Sequence, residues 1–212
     1  MGSREVNVII KGMKLTKRQM AIVVGSVLGD GFLQKTGSRN ARLRLEHGVK
    51  QKEYLLWKGR QLPRYFQGTP AYLERVHPKN GAKYSYVRWQ SNASPELGKW
   101  REYFYAKGKK IIPEDIAIFL SPLALAIWYM DDGYFSQDKA SFLYLGKVSC
   151  IEAETVRCAI ENNFGITPKV YDKQTKGFVL YFPVIETRKL HELVKDFIHP
   201  SMRYKLGESQ PL

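Results

Sequence analysis

Two stretches of this chain are apolar enough to be read as buried helices, and both close on acid. LTKRQMAIVVGSVLGDGFL (residues 15–33) and LSPLALAIWYMDDGYF (120–135) each run from a leucine and a hydroxyl residue through an uncharged apolar segment to an aspartate, a glycine and an aromatic. Thr16 followed by Gln19 forms a capping-box start, and Ser121 followed by Pro122 is an N-cap with proline at the first helical position. Leu15 with Met20 and Leu120 with Leu125 have the spacing of a hydrophobic staple. Gly31 and Gly133 stand where a left-handed residue would end each helix. Asp132 lies 102 residues after Asp30, close to half of the 212-residue chain, so the pattern reads as an internal duplication.

Between these runs the period switches to two. ARLRLEH (41–47) alternates, with Arg42, Arg44 and Glu46 on one face and Leu43 and Leu45 on the other, which is a half-buried strand with a basic face. PAYLERV (70–76) and AKYSYVRWQ (82–90) read as strands around the turn HPKNG (77–81), and a weaker strand signal lies near Phe32. KQKEYLLWKGRQLPRYF (50–66) and PELGKWREYFY (95–105) have helical spacing. The second half repeats this order with shorter loops. It offers strands in YFSQ and ASFLYLGKV (134–148), a helix over 151–165 ended by Gly165, a hairpin over 167–182 turning near Lys176-Gly177, and a last helix over 183–198. The expected fold class is α+β, with two pseudo-symmetric αββαββα halves and the motif helices packed at their interface. The halves are expected at 1–105 and 121–212, joined by a linker at 106–120 that opens with the basic AKGKKIIPED.

Composition adds a partner class. Thirty-four Lys and Arg against 20 Asp and Glu give a net charge of +14, which favours a polyanion, with nucleic acid ahead of an anionic membrane surface. At 44% hydrophobic and 13% aromatic residues the chain can bury a real core. The longest uncharged apolar run, residues 116–130, is broken by Ser121-Pro122 and falls short of the roughly 18 residues a membrane span needs. The N-terminal MGSREVNVIIKGMKL has an early charge and no long apolar core, so no signal peptide is expected and the chain is assigned to a cytoplasm or an organellar matrix. Cys150 and Cys158 exclude a disulfide framework and a cysteine-based zinc site. On one helix they would be about 12 Å apart, too far to bridge, and they are expected to be small core residues. His47, His77, His191 and His199 show no H-x-x-x-H spacing and no clustering with Asp or Ser, which leaves a zinc hydrolase or a serine-type triad without support.

The placement of the carboxylates is what asks for chemistry. An acidic side chain at a helix C-terminus faces the negative end of the macrodipole, at a cost of a few tenths of a kcal/mol to about 1. Gly25 and Gly29 give the first helix a small-residue strip that lets another backbone come close. If the second helix is that neighbour, Asp30 and Asp132 are brought together, and two adjacent carboxylates repel unless a cation lies between them. Oxygen ligands completed by water suit Mg²⁺ better than zinc or copper.

GSVLGDG (25–31) and LAIWYMDDG (125–133) resemble the two motifs of single-chain LAGLIDADG homing endonucleases. Aligned to that nine-residue pattern, Asp30 and Asp132 both take the eighth position. The sixth is Leu28 and Met130 rather than aspartate, and the second copy has Ile127 and Asp131 where the first has glycines. The close helix contact is therefore expected from the first helix. The resemblance implies that Asp30 and Asp132 bind Mg²⁺, with Mn²⁺ able to substitute, and that Gly29 and Asp131 offer backbone carbonyls to the ion. It further implies one active-site lysine in KKIIP, Lys110, and one in YKL, Lys205, and gives Glu46 the role of holding water near the metal.

The same resemblance implies that two antiparallel sheets form a saddle over double-stranded DNA, carried by a monomer with an internal pseudo-two-fold axis. Lys35, Arg39, Arg42, Arg44, Arg75, Lys83 and Arg88 in one half, and Lys139, Lys147, Lys169, Lys173 and Lys176 in the other, are then candidates to reach phosphates or base edges. Tyr84, Tyr86 and Trp89 remain open between core and DNA contact. The implied chemistry is metal-assisted hydrolysis of one phosphodiester per strand at a long asymmetric target. The alternative within the fold is a non-cleaving RNA-splicing maturase or DNA-binding regulator. YMDD (129–132) is also the reverse transcriptase tetrapeptide, but a Ser-Pro helix start precedes it here, and GSVLGDG is neither a dinucleotide fingerprint nor a Walker loop. The terminal GESQPL has no splice-junction residues, so an intein origin is not expected.

Overall fold

The computed structural model describes residues 14–208; most of the N-terminal stretch read for a signal peptide and the last four residues of GESQPL lie outside the described residues. The order of elements is α1 (Lys17–Leu28), β1 (Phe32–Lys35), β2 (Ala41–Gly48), α2 (Lys52–Arg60), β3 (Ala71–Val76), β4 (Lys83–Gln90) and α3 (Pro95–Phe104). A two-strand hairpin, β5 (Tyr105–Ala106) and β6 (Lys109–Lys110), follows. The order then repeats as α4 (Pro122–Asp132), β7 (Gly133–Phe135), β8 (Ser141–Gly146), α5 (Cys150–Phe164), β9 (Lys169–Asp172), β10 (Phe178–Phe182) and α6 (Val184–Val194). The αββαββα duplication is present, and both antiparallel four-stranded sheets have the same strand order, β1-β2-β4-β3 and β7-β8-β10-β9.

The chain forms two compact units. Among the described residues, one holds Asp30–Glu102 and the other holds 14–29 together with 103–208. In the first of these, the period-two pattern of β2 reproduces the expected faces, with Leu43 and Leu45 buried and Arg42, Arg44 and Glu46 partly exposed. Leu33, Leu43, Leu45, Val87 and Trp89 share the buried phase of the sheet, and Tyr54, Leu55, Leu97 and Trp100 are buried on the helices. Each such aliphatic side chain contributes about 1.5–3 kcal/mol through removal from water. Trp89 is thereby core, whereas Tyr84 is exposed and Tyr86 half-buried on the other phase. The helix expected over 50–66 stops at Arg60, because Pro63 disfavours helical backbone in the residue before it.

In the second unit both helix starts form as expected. Thr16 and Gln19 make the reciprocal capping box, and Ser121 Oγ accepts from the Ala124 amide at 3.2 Å. The ends differ from expectation. Gly29, not Gly31, caps α1 with φ −86°, and Gly133 leaves α4 extended at φ −77°, ψ 153°. Gly133 is required by crowding, since a Cβ there would meet the Tyr129 carbonyl and ring. Gly165, by contrast, ends α5 at φ 65° as anticipated. The expected last helix stops at Val194, and an unanticipated 3₁₀ segment, Pro200–Leu206, follows. Cys150 and Cys158 are free and are not core. α5 buries Ala153, Val156, Ala159 and Ile160, which leaves Cys150 exposed in the first turn and Cys158 half-buried beside the stripe.

α1 and α4 pack against one another, and glycine sets their distance. A Cβ on Gly25 would lie 2.5 Å from the Ala124 carbonyl oxygen and 2.8 Å from Ile127 Cβ; one on Gly29 would lie 2.6 Å from Asp131 Cβ. Ile127 and Asp131 are the residues that follow Gly25 and Gly29 by the duplication offset of 102. The close contact comes from the first helix, as expected, and Gly25 and Gly29 each receive the larger side chain at their own duplicate position. Gly25→Val should destabilise the protein by at least about 1–3 kcal/mol through overpacking against backbone. Chemical denaturation checks this against Gly48→Ala, where the added Cβ meets nothing within 4 Å.

Candidate active site at the tips of the motif helices

The end of α1 exposes carbonyls that have no intrahelical partner and carry the negative end of the macrodipole. Lys110 answers them: its Nζ donates to the carbonyls of Val27 at 3.0 Å and Gly29 at 2.9 Å. The hairpin β5–β6 delivers it there. Lys107 (φ 50°) and Gly108 (φ 80°) both take positive φ between the paired Ala106 and Lys109, as a type I′ turn requires. The segment expected to be linker is therefore in part a structured arm that aims one lysine.

At the end of α4, Lys205 Nζ donates to the Gly133 carbonyl at 2.6 Å. Lys205 sits in the 3₁₀ segment Pro200–Leu206, whose end is set by Gly207 at φ 82°. A buried polar cluster ties that segment down. Tyr129 Oη donates to the Lys205 carbonyl at 3.0 Å and lies 2.9 Å from Ser141 Oγ, which in turn is 3.1 Å from His191 Nε2. Burial pushes the Tyr129 phenol well above its ordinary range, so it stays a donor, and burial pushes His191 down to about 4, so its ring stays neutral. The lysines expected at 110 and 205 are both engaged at helix tips. Tyr129, Ser141 and His191, which hold one of them, were not anticipated, because partners 12 to 76 residues apart leave no local pattern.

Asp131 is half-buried, and its Oδ2 lies 2.6 Å from where a Gly29 Cβ would stand. Asp132 is the last residue of α4 and is also half-buried. The oxygen donors collected at this tip are the Asp131 carboxylate and the Gly29 carbonyl, whose second lone pair is independent of the bond from Lys110. Hard oxygen donors of this kind fit Mg²⁺ or Mn²⁺.

Within the unit Asp30–Glu102, Asp30 is exposed and its Oδ2 lies 3.5 Å from His47 Nδ1. Sequence spacing showed no histidine clustered with aspartate, and the fold corrects that. His47 falls on the buried phase of β2 with Leu43 and Leu45, at 4% exposure. A polar residue in the apolar phase of an alternating strand was the signal that could have found it. Glu46, on the opposite phase, is held by Arg75 and Arg88, each at 2.6 Å. Burial alone would raise its carboxyl, but the two guanidiniums outweigh this and keep it below the ordinary carboxylate range. Asp30, Arg44, Glu46, His47, Gln51 and Tyr86 line one recess of this unit.

The candidate DNA-facing residues are distributed unevenly. Arg42, Arg44 and Arg88 share the half-exposed phase of the first sheet with the exposed Arg75; Lys35 and Lys83 sit at strand ends on the other phase, and Arg39 lies in the β1–β2 turn. In the second sheet only Lys169 belongs to a strand. Lys139, Lys147, Lys173 and Lys176 lie in turns at the strand ends.

These observations define a class: a single chain that repeats an αββαββα unit, whose leading helices pack through glycine and end in carboxylates with a lysine on each tip. The model of the LAGLIDADG DNA endonuclease family matches residues 20–190, and the chain belongs to that family. Among curated relatives, Protein RecA of Mycobacterium shimoidei is 33% identical over 91% of this chain and 47% of its own length, so the chain spans about half of that relative. The cytochrome b mRNA maturase bI2 of Debaryomyces hansenii is 28% identical over 91% of this chain and 75% of its own. The DNA endonuclease I-ChuI of Chlamydomonas applanata is 29% identical over 92% of this chain and 97% of its own. The solved structure of the homing endonuclease I-WcaI bound to its DNA recognition sequence superposes with a TM-score of 0.84 and 25% identity, covering 97% of this chain and 93% of that one. Among the described residues, no helix is long and apolar enough to cross a membrane.

His191 gives the site a pH signature. Its folded pKa of about 4 lies below the ordinary 6.5, so only the unfolded chain takes up a proton between these values. Stability should be full above pH 6.5 and decline as pH falls toward 4. Urea midpoints at pH 7 and pH 5 check this, and His191→Gln should flatten the decline.

Proposed function

We propose that this chain is a site-specific homing endonuclease that makes a divalent-metal-dependent double-strand break in a long, asymmetric DNA target, acting as a monomer. The observation that carries this reading is that each acidic helix tip has its own lysine, Lys110 on the Gly29 carbonyl and Lys205 on that of Gly133. Binding alone calls for neither paired carboxylates nor ammonium groups fixed beside them.

A bound Mg²⁺ or Mn²⁺ would supply charge neutralisation at the scissile phosphate and an activated water. Asp30 and Asp132, with Asp131 and the Gly29 carbonyl, would hold it. Lys110 and Lys205 fix the tip backbone and place positive charge where a phosphodiester arrives. His47 orients the Asp30 carboxylate through its 3.5 Å contact. Glu46, kept ionised by Arg75 and Arg88, is an acceptor able to orient water. The arginines of the first sheet and the turn lysines of the second reach the duplex.

The similarity to a cytochrome b mRNA maturase favours a second reading, a splicing cofactor built on the same fold. The two separate on measurement. Asp30→Asn and Asp132→Asn should leave DNA affinity within a few-fold while lowering Mg²⁺-supported double-strand cleavage at least about 10²-fold. Cutting by both variants would refute the metal assignment. Lys110→Met should lower cleavage with binding retained, as judged by gel shift against product formation. RNA binding that promotes splicing, without DNA cleavage, would establish the maturase reading instead.

A further inference from the structure

The outward phase of the second sheet is aromatic rather than charged. Strand register places Tyr134, Phe142, Tyr181 and Lys169 in one row across all four strands, and Tyr144 and Tyr171 in the next, on either side of the buried Val179. Adjacent rings touch: centroids are 6.2 Å apart for Tyr134–Phe142, 5.2 Å for Phe142–Tyr181 and 5.6 Å for Tyr171–Tyr181. Tyr134, Tyr144 and Tyr171 are 51%, 42% and 42% exposed, while Ser141, Leu143, Leu180 and Phe182 on the other phase are fully buried. The cations stand at the margins. Lys139 precedes β8, and Lys147 with the β9–β10 turn lysines lies at its far end.

That arrangement, an apolar strip between two cationic edges, matches a major groove between two phosphate backbones. The six residues of β8 span about 20 Å, enough to cross a groove about 12 Å wide. The apolar feature on a groove floor is the thymine C5 methyl. The first sheet adds a different chemistry to its outward phase: beside Phe32, Tyr84 and Tyr86 stand Arg42, Arg44, Gln34 and Gln90, whose donors pair with guanine and adenine edges. Because Tyr134, Phe142, Tyr181 and Tyr171 touch ring to ring, they form a continuous layer rather than separate platforms for unstacked bases, which argues for duplex over single-stranded RNA.

We propose that the second sheet reads its half of the target through thymine methyl groups, so that this half-site is thymine-rich while guanine is read by the first sheet. This rests on the endonuclease reading. The test selects cleaved sites from a randomised duplex library with the full chain, then replaces thymidine by deoxyuridine, which removes only the methyl, in one half at a time. In the half whose selection is altered by Tyr144→Ser, deoxyuridine should weaken binding about fourfold per contacted methyl. In the other half it should have little effect. Tyr134→Ser with Tyr144→Ser should remove the sensitivity to deoxyuridine while leaving the melting temperature near that of the parent. A selected, cleaved site without thymine enrichment, or one indifferent to deoxyuridine, overturns this inference alone. Failure to select any duplex, or preference for single-stranded RNA, overturns the endonuclease reading and this inference with it.

Discussion

The close approach of α1 to α4 is the constraint on which the rest depends. Two helices with ordinary side chains at their contact stay 8–10 Å apart, and glycine removes the atoms that keep them there. With Gly25 and Gly29 lacking Cβ, Ile127 and Asp131 occupy the space their duplicates have vacated. The result is a carboxylate packed against the last turn of another helix, at the negative ends of two macrodipoles. Such a place is electrostatically unfavourable unless cations attend it. Lys110 and Lys205 are two of them, each supplied by a segment outside the repeated helices and strands.

Much of this was legible in the chain. The duplication, both helix caps and the alternation of β2 are short-range patterns, each set by residues within a few positions of one another. The lysines were legible only by resemblance, because nothing local distinguishes Lys110 from its neighbours Lys107 and Lys109. What aims it is the positive-φ turn at Lys107-Gly108. The ends of the motif helices depart from expectation for a physical reason. A glycine after a helix suggests left-handed backbone, but Gly133 is demanded by the Tyr129 carbonyl lying against it, a contact that the dipeptide Asp-Gly does not reveal. His47 has no acidic partner legible from spacing, because Asp30 reaches it through the pairing of β1 with β2.

The duplication has been preserved in its backbone and abandoned in its surfaces. Strand order is the same in both sheets, yet one outward face is an ion-pair lattice centred on Glu46 and the other an aromatic layer. The buried phases answer to packing. The outward phases answer to whatever each sheet meets, and symmetric backbones with unlike faces suit an unlike partner on each side.

α1 belongs by its packing with the residues from Tyr103 onward, although it opens the first repeat. Severing the polypeptide near residue 110 would therefore not yield two autonomous modules. The leading fragment would carry a bare helix notched for a bulky neighbour it no longer has, and a second copy of that fragment would bring another notch instead of the missing isoleucine. Closing that seam takes Ile127 and Asp131 from the later repeat, so the two leading helices have become unlike halves of one joint.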